Sequence, residues 1–215
     1  MNNNLTELVF ILDKSGSMAG KQEDVVGGFN STIDEQKEND TLVSTVLFSN
    51  DETMIHDRVD IKEINHLSLA DYKVGGCTAL IDAIGNNIKH IEKVHKYIRE
   101  EDTPNKVLFV ISTDGLENAS VKFSSEDVKK MIKQKQEIGW EFLFLGANID
   151  SVETAKMYGI KEDRAVNYHN DKVGISMQYK AVSNFAKAYS RGESTESGEW
   201  RKEADDDYKS RKNRS

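Results

Sequence analysis

The chain has 215 residues, of which 37% are hydrophobic and 31% charged, with a formal net charge of −8. That is enough apolar material for one medium-sized domain, and the acidic balance argues against a broad basic footprint for nucleic acid. Cys77 is the only cysteine, which excludes an internal disulfide and a thiolate metal cage.

The N-terminus, Met1-Asn2-Asn3-Asn4, lacks a basic stretch, and the apolar run Leu8 to Leu12 breaks at Asp13. It does not read as a signal peptide, and no apolar run is long enough for a membrane span. A cytoplasmic location is the resulting expectation. Leu5 to Leu12 reads as a buried strand. Met18, Val25 or Val26, Phe29 and Ile33 then recur at helical spacing through Lys37. Leu42 to Phe48 returns to strand character, and Met54 to Val59 alternates like a half-exposed strand after the turn Ser49-Asn50-Asp51-Glu52. The short connection predicts an antiparallel hairpin whose second strand lies at the sheet edge.

After an irregular stretch, Gly75-Gly76-Cys77-Thr78 leads into a strong helix with Leu80, Ile84, Ile88, Ile91, His95 and Ile98 on its inward face. Thr78 is the expected N-cap, and Cys77 beside it a small filler. Pro104 falls in the loop before a strand at Lys106 to Ser112. A helix follows from Ser125 to Ile138, capped by Ser124 or Ser125. Then come a strand at Trp140 to Leu145, a short helix at Ile149 to Tyr158 and a brief strand at Arg164 to Tyr168. Val173, Met177, Ala181, Phe185 and Ala188 mark the final helix. From Arg191 onward charge dominates, so residues 191–215 read as a tail, disordered or a solvated helix, outside a domain at 1–190. Trp200 in it either anchors an interaction or packs back on the domain. The alternation predicts an α/β fold with three layers, Rossmann-like, around a mostly parallel six-stranded sheet with one antiparallel edge strand.

The first strand ends in Asp13-Lys14-Ser15-Gly16-Ser17, and the strand ending near Ile111 delivers Ser112-Thr113-Asp114-Gly115 to the same edge, where open parallel sheets bind ligands. If the strands are neighbours, Asp13 and Asp114 face each other, and two close carboxylates repel unless a cation lies between them. Ser15, Ser17 and Thr78 add hydroxyl oxygens, with Gly16 giving a tight turn. An all-oxygen donor set favours Mg²⁺, with Mn²⁺ or Ca²⁺ as alternatives. Asp82 either supports this site or favours its helix N-terminus, and Glu117 and Asn118 lie on the same rim as partner contacts or solvated groups. The five histidines form no ligand pair.

Asp13-Lys14-Ser15-Gly16-Ser17 resembles the D-x-S-x-S element of the von Willebrand factor A-type family. Thr78, within Gly75-Gly76-Cys77-Thr78-Ala79-Leu80, is similar to that family's threonine ligand, and Asp114, within Thr113-Asp114-Gly115, to its distal aspartate. Together they look like a metal-ion-dependent adhesion site, and the order of elements fits the family from Leu5 to Tyr189. The resemblance implies that Ser15, Ser17 and Thr78 bind the metal directly while Asp13 and Asp114 act through water. It implies a cation left free to take an Asp or Glu side chain from a protein partner, and a last helix that moves on ligation. It also suggests the small stand-alone bacterial or phage type.

The expected function is therefore a cation-dependent protein-binding module for complex assembly, with neither nucleic acid nor membrane as partner and no oligomeric state indicated. An Mg²⁺-dependent phosphatase with Asp13 as nucleophile is the enzymatic alternative. It wants a second Asp two residues on, where this chain has Ser15, and no phosphate loop or Ser-His-Asp set accompanies it. A structural assembly component acting through its surface and tail is the third reading.

Overall fold

Leu8, Val9, Phe10, Ile11 and Leu12 are all apolar, and such a strand is stable only with both faces covered. All five are buried at the centre of the sheet. The structure, a computed structural model, describes residues 2–212. Strand β1 spans Asn2–Asp13, β2 Thr41–Phe48, β3 Glu52–Asp60, β4 Pro104–Thr113, β5 Glu141–Ala147 and β6 Ala165–Tyr168. They lie in the order β3-β2-β1-β4-β5-β6, parallel throughout except for the antiparallel β2–β3 edge pair. The expected α/β architecture is thus present, with Pro104 at the first residue of its strand, where a missing N–H is tolerated.

The helices cover the two faces by the alternation of β1. Leu8, Phe10 and Leu12 pack with Val25, Phe29 and Ile33 of α1 (Gln22–Gln36) and with Ile175, Val182 and Phe185 of α5 (Lys172–Ser190). Phe10 meets Phe29 edge to face at 5.0 Å, an arrangement that adds about 0.5–1.5 kcal/mol to simple burial. Val9 and Ile11 face the other way. They pack with Leu80, Ile84 and Ile88 of α2 (Leu80–Tyr97), Val128 and Ile132 of α3 (Ser125–Glu137) and Ala155 of α4 (Ser151–Met157). Ser124 caps α3 in a reciprocal capping box with Asp127. None of the described helices is long and apolar enough to cross a membrane.

Two local expectations are corrected. Thr78 does not cap α2: Ala79 holds the cap position with no side-chain bond, and the helix begins one residue later. Cys77 is exposed rather than a filler, because its backbone N–H is drawn 2.7 Å to the Asn50 side chain. Of the tail expected to be disordered or a solvated helix, residues 213–215 lie outside the described residues, and the rest is packed against the domain. After Arg191 it folds into α6 (Lys202–Lys212), seated by Ala204 and by Trp200, which is 6% exposed and meets Phe185 edge to face at 5.0 Å. Buried Arg164 holds the connecting segment through Glu196 at 2.9 Å, and Arg201 donates to the Ala165 carbonyl at 2.7 Å. A composition rich in charge concealed this anchor, since two apolar side chains and directed cations are enough to dock a short helix.

Candidate metal centre

Strands β1 and β4 are hydrogen-bonded neighbours, with Leu12 opposite Ser112. The chain leaves β1 for β2 on one side and reaches β4 on the other, so their carboxyl ends flank the crevice where the strand order reverses. Asp13 ends β1 and Asp114 follows β4, and both are buried, at 2% and 3% exposure. Asp13 Oδ1 accepts the Ser15 N–H at 2.7 Å, and Oδ2 accepts the Thr113 hydroxyl at 2.6 Å. Asp114 Oδ1 accepts the Ser17 hydroxyl, and Oδ2 accepts the Asn170 amide at 2.7 Å. Among the described residues, neither carboxylate has a Lys, Arg or His partner; Lys14, next in sequence to Asp13, turns to Asp51 at 3.0 Å.

Proton accounting shows what the hydroxyls have left to offer. Ser17 gives its one proton to Asp114, so it is the acceptor toward Ser15, 3.1 Å away. The Thr78 hydroxyl makes no hydrogen bond among the described residues. It lies 3.5 Å, and the Ser17 hydroxyl 3.7 Å, from where a Cβ on Gly115 would sit. Three hydroxyl oxygens from two separate segments thus border one space, with lone pairs available and two carboxylates beside them. Burial raises the Asp13 carboxyl above its ordinary range. Hydrogen bonds from Ser15 and Thr113 pull it back, and the nearby Asp114 charge pushes it up again. Among the described residues, no group of three or more His, Cys, Asp or Glu is placed to hold a metal. A cation here must therefore draw on hydroxyl oxygens, and this hard-oxygen set suits Mg²⁺, Mn²⁺ or Ca²⁺.

The positions of the segments are fixed by cross-ties rather than by local caps. Gly16 N–H donates to Gly76 O at 3.0 Å and Gly75 N–H to Lys14 O at 2.8 Å, joining the serine turn to the threonine segment. The serine turn is a 3₁₀ turn, Gly16–Met18. The glycine that needs its freedom is instead Gly76, at φ +85°, where a Cβ would collide with Asn50. Thr78 N–H donates to Asn118 Oδ1 at 2.9 Å while Asn118 N–H donates to Thr78 O at 3.0 Å. The first N–H groups of α2 are satisfied from the loop after Asp114: Ile81 by Glu117 at 2.8 Å and Asp82 by the Ser120 hydroxyl at 2.9 Å. Asp82 returns the tie by accepting from Val121, Lys122 and Phe123. Glu117, Asn118 and Asp82 are therefore the braces that keep Thr78 beside Asp114. Tyr72, Thr113 and Asn170 complete the surroundings without having been singled out in the sequence. The Tyr72 hydroxyl donates to the Asp13 carbonyl, and burial holds its pKa well above the ordinary tyrosine value.

Fold and site together place the chain in a family. The von Willebrand factor type A domain model matches residues 7–190, and the chain belongs to that family. Among solved structures, it is similar to proximal thread matrix protein 1 from the mussel byssus, solved with a zinc-occupied MIDAS motif (13% identity, TM-score 0.62, covering 86% of this chain and 48% of that one). It is also similar to the ArnB paralog VWA2 from Sulfolobus acidocaldarius (20%, 0.57, 85% and 45%) and to the pilus adhesin SpaC from Lactobacillus rhamnosus GG (11%, 0.67, 91% and 31%). The chain spans about half or less of the length of these proteins. A search of curated proteins gives no match. Domains of this family are typically modules for protein interaction and adhesion, and nothing among the similar structures indicates catalysis.

Proposed function

We propose that the chain is a protein-binding module in which a divalent cation, held by Ser15, Ser17 and Thr78 with Asp13 and Asp114 beside them, ligates an Asp or Glu of a partner. The observation that carries this reading is the pair of buried carboxylates with no cationic side chain among the described residues facing them. Two such charges are costly without a counter-charge, and three hydroxyls with free lone pairs border the space next to them. When bound, the cation supplies Lewis acidity toward an external carboxylate. The residues of the chain do the rest. The hydroxyls offer neutral oxygens, which leave positive charge uncancelled, and the carboxylates are restrained by Thr113, Ser17 and Asn170.

Mg²⁺ is the expected cation, and the similar mussel structure with zinc at this motif supports a divalent ion in general. The net charge of −8 favours a protein over a nucleic acid as partner. A cytoplasmic setting, and a small stand-alone bacterial or phage protein, belong to the same proposal; the unpaired, exposed Cys77 supports the former. Catalysis by Asp13 is disfavoured because both its oxygens are engaged by donors and it is buried. The test is affinity capture with the full chain. Partners should elute with EDTA and return with Mg²⁺, and Thr78→Val should abolish the effect. Capture indifferent to EDTA and to Thr78→Val would refute the proposal.

A further inference from the structure

The Asn170 amide reaches Asp114 from the loop between β6 and α5, and the residues on either side of it are both held by α6. His169 Nε2 lies 3.2 Å from the Tyr208 carbonyl, and the two rings are 4.8 Å apart. Asp171 Oδ2 receives Arg211 Nη1 at 2.5 Å, while Oδ1 of the same carboxylate caps α5 at the Gly174 N–H, 2.9 Å away. Arg211 is itself bound to Asp207 one helical turn back. The loop has little room to move otherwise, since a Cβ on Gly174 would collide with the His169 carbonyl. The segment 169–171 is therefore clamped between α5 and α6. Asn170 Oδ1 is buried without a hydrogen-bond partner among the described residues, so the amide donor on Asp114 is the side chain's anchor. Helix α6 lies beyond residue 190, outside the segment that matches the family.

We propose that Asn170 is a positioning residue for the cation site and that α6, through Arg211 and Tyr208, holds it against Asp114. This inference rests on the cation-binding reading above. The physical basis is orientation. With Oδ2 held by Asn170 and Oδ1 by Ser17, the Asp114 carboxylate has one available rotation. Loss of the amide frees it to turn, and a partner oriented this way matters to a metal site even without touching the ion.

The test uses the full chain in two measurements. In metal-free, ¹⁵N-labelled protein, the Asn170 side-chain amide should show a displaced resonance and slow hydrogen exchange; Arg211→Ala should move both toward free-amide values, and Arg211→Lys should restore them in part. In Mn²⁺ titrations, Asn170→Ala should weaken binding by about tenfold, Arg211→Ala by less, and the double variant no more than Asn170→Ala alone. Unchanged melting of the remaining fold by near-ultraviolet dichroism distinguishes this from unfolding. An Asn170 amide insensitive to Arg211→Ala, or a double variant with additive losses, overturns the coupling. If wild-type protein takes up no Mn²⁺, the cation reading fails by itself, and the amide signal in metal-free protein still decides whether α6 holds Asn170.

Discussion

Strand β1 buries two carboxylates, Glu7 in its middle and Asp13 at its carboxyl end, and the chain treats the two differently. Glu7, at 0% exposure, is met by Arg58 Nε at 2.6 Å and by His95 Nε2 at 2.5 Å. Asp13, six residues on, is met by a backbone N–H and the Thr113 hydroxyl, with the like charge of Asp114 nearby. Arg58 reaches Glu7 from the edge hairpin with the uncommon positive φ of 53°, beside a register shift between β2 and β3. The backbone thus departs from regular geometry beside the carboxylate for which the chain supplies the counter-charge. A buried carboxylate neutralised from within serves the fold; one left facing oxygens is what the proposed cation would neutralise.

Substitutions should separate the two carboxylates. The largest effect is expected for Glu7→Gln, which strands the partly buried Arg58. Urea unfolding should show a loss of about 3–5 kcal/mol, the same with or without Mg²⁺. At the carboxyl end of the strand, Asp13→Asn should leave metal-free stability unchanged or improved, since it removes a repelled charge. What it should remove is stabilisation by the ion: wild type should gain about 2.7 kcal/mol at a hundredfold excess of Mg²⁺ over Kd, and Asp13→Asn and Thr78→Val nearly none. Equal behaviour of Glu7→Gln and Asp13→Asn toward Mg²⁺ would erase the distinction.

Smaller effects sharpen it. Ser124→Ala, at a capping box away from both carboxylates, should cost about 1 kcal/mol and leave Mn²⁺ titrations untouched. The smallest is a pH dependence. Because burial raises the Asp13 carboxyl in the fold, the folded protein holds this proton more tightly than the unfolded chain. The contribution of that group to stability is present below its unfolded value and is lost as pH rises through the raised one. Metal-free Asp13→Asn should therefore gain stability relative to wild type as pH increases across that range, and saturating Mg²⁺ should reverse the trend. A difference that stays flat with pH would mean that the fold does not raise the Asp13 carboxyl.

What the sequence revealed follows the same division between local and distant causes. The strand alternation and the antiparallel edge were readable because apolar period reports burial directly, as in Leu8 to Leu12. The serines, Thr78 and Asp114 could be put forward from sequence because each stands at the end of a strand or before a helix in a recognisable short stretch. Asn170 and Tyr72 lie in irregular segments with no period, and their reach to Asp114 and Asp13 is a product of tertiary packing. The Thr78 cap failed for a similar reason, as the N–H groups it was expected to satisfy are taken by Glu117 and Ser120 from 36 and 38 residues away. The Glu7–Arg58–His95 cluster was invisible because its three members sit on β1, the edge hairpin and α2, where no spacing rule connects them.

The proposed module turns on a cation bounded by Ser15, Ser17 and Thr78. Anomalous scattering from a crystal grown with millimolar Mn²⁺ tests it most directly. One peak is predicted within bonding distance of those three hydroxyl oxygens, and none beside Glu7. An empty difference map at that position, or a sole peak coordinated elsewhere on the molecule, would contradict the account.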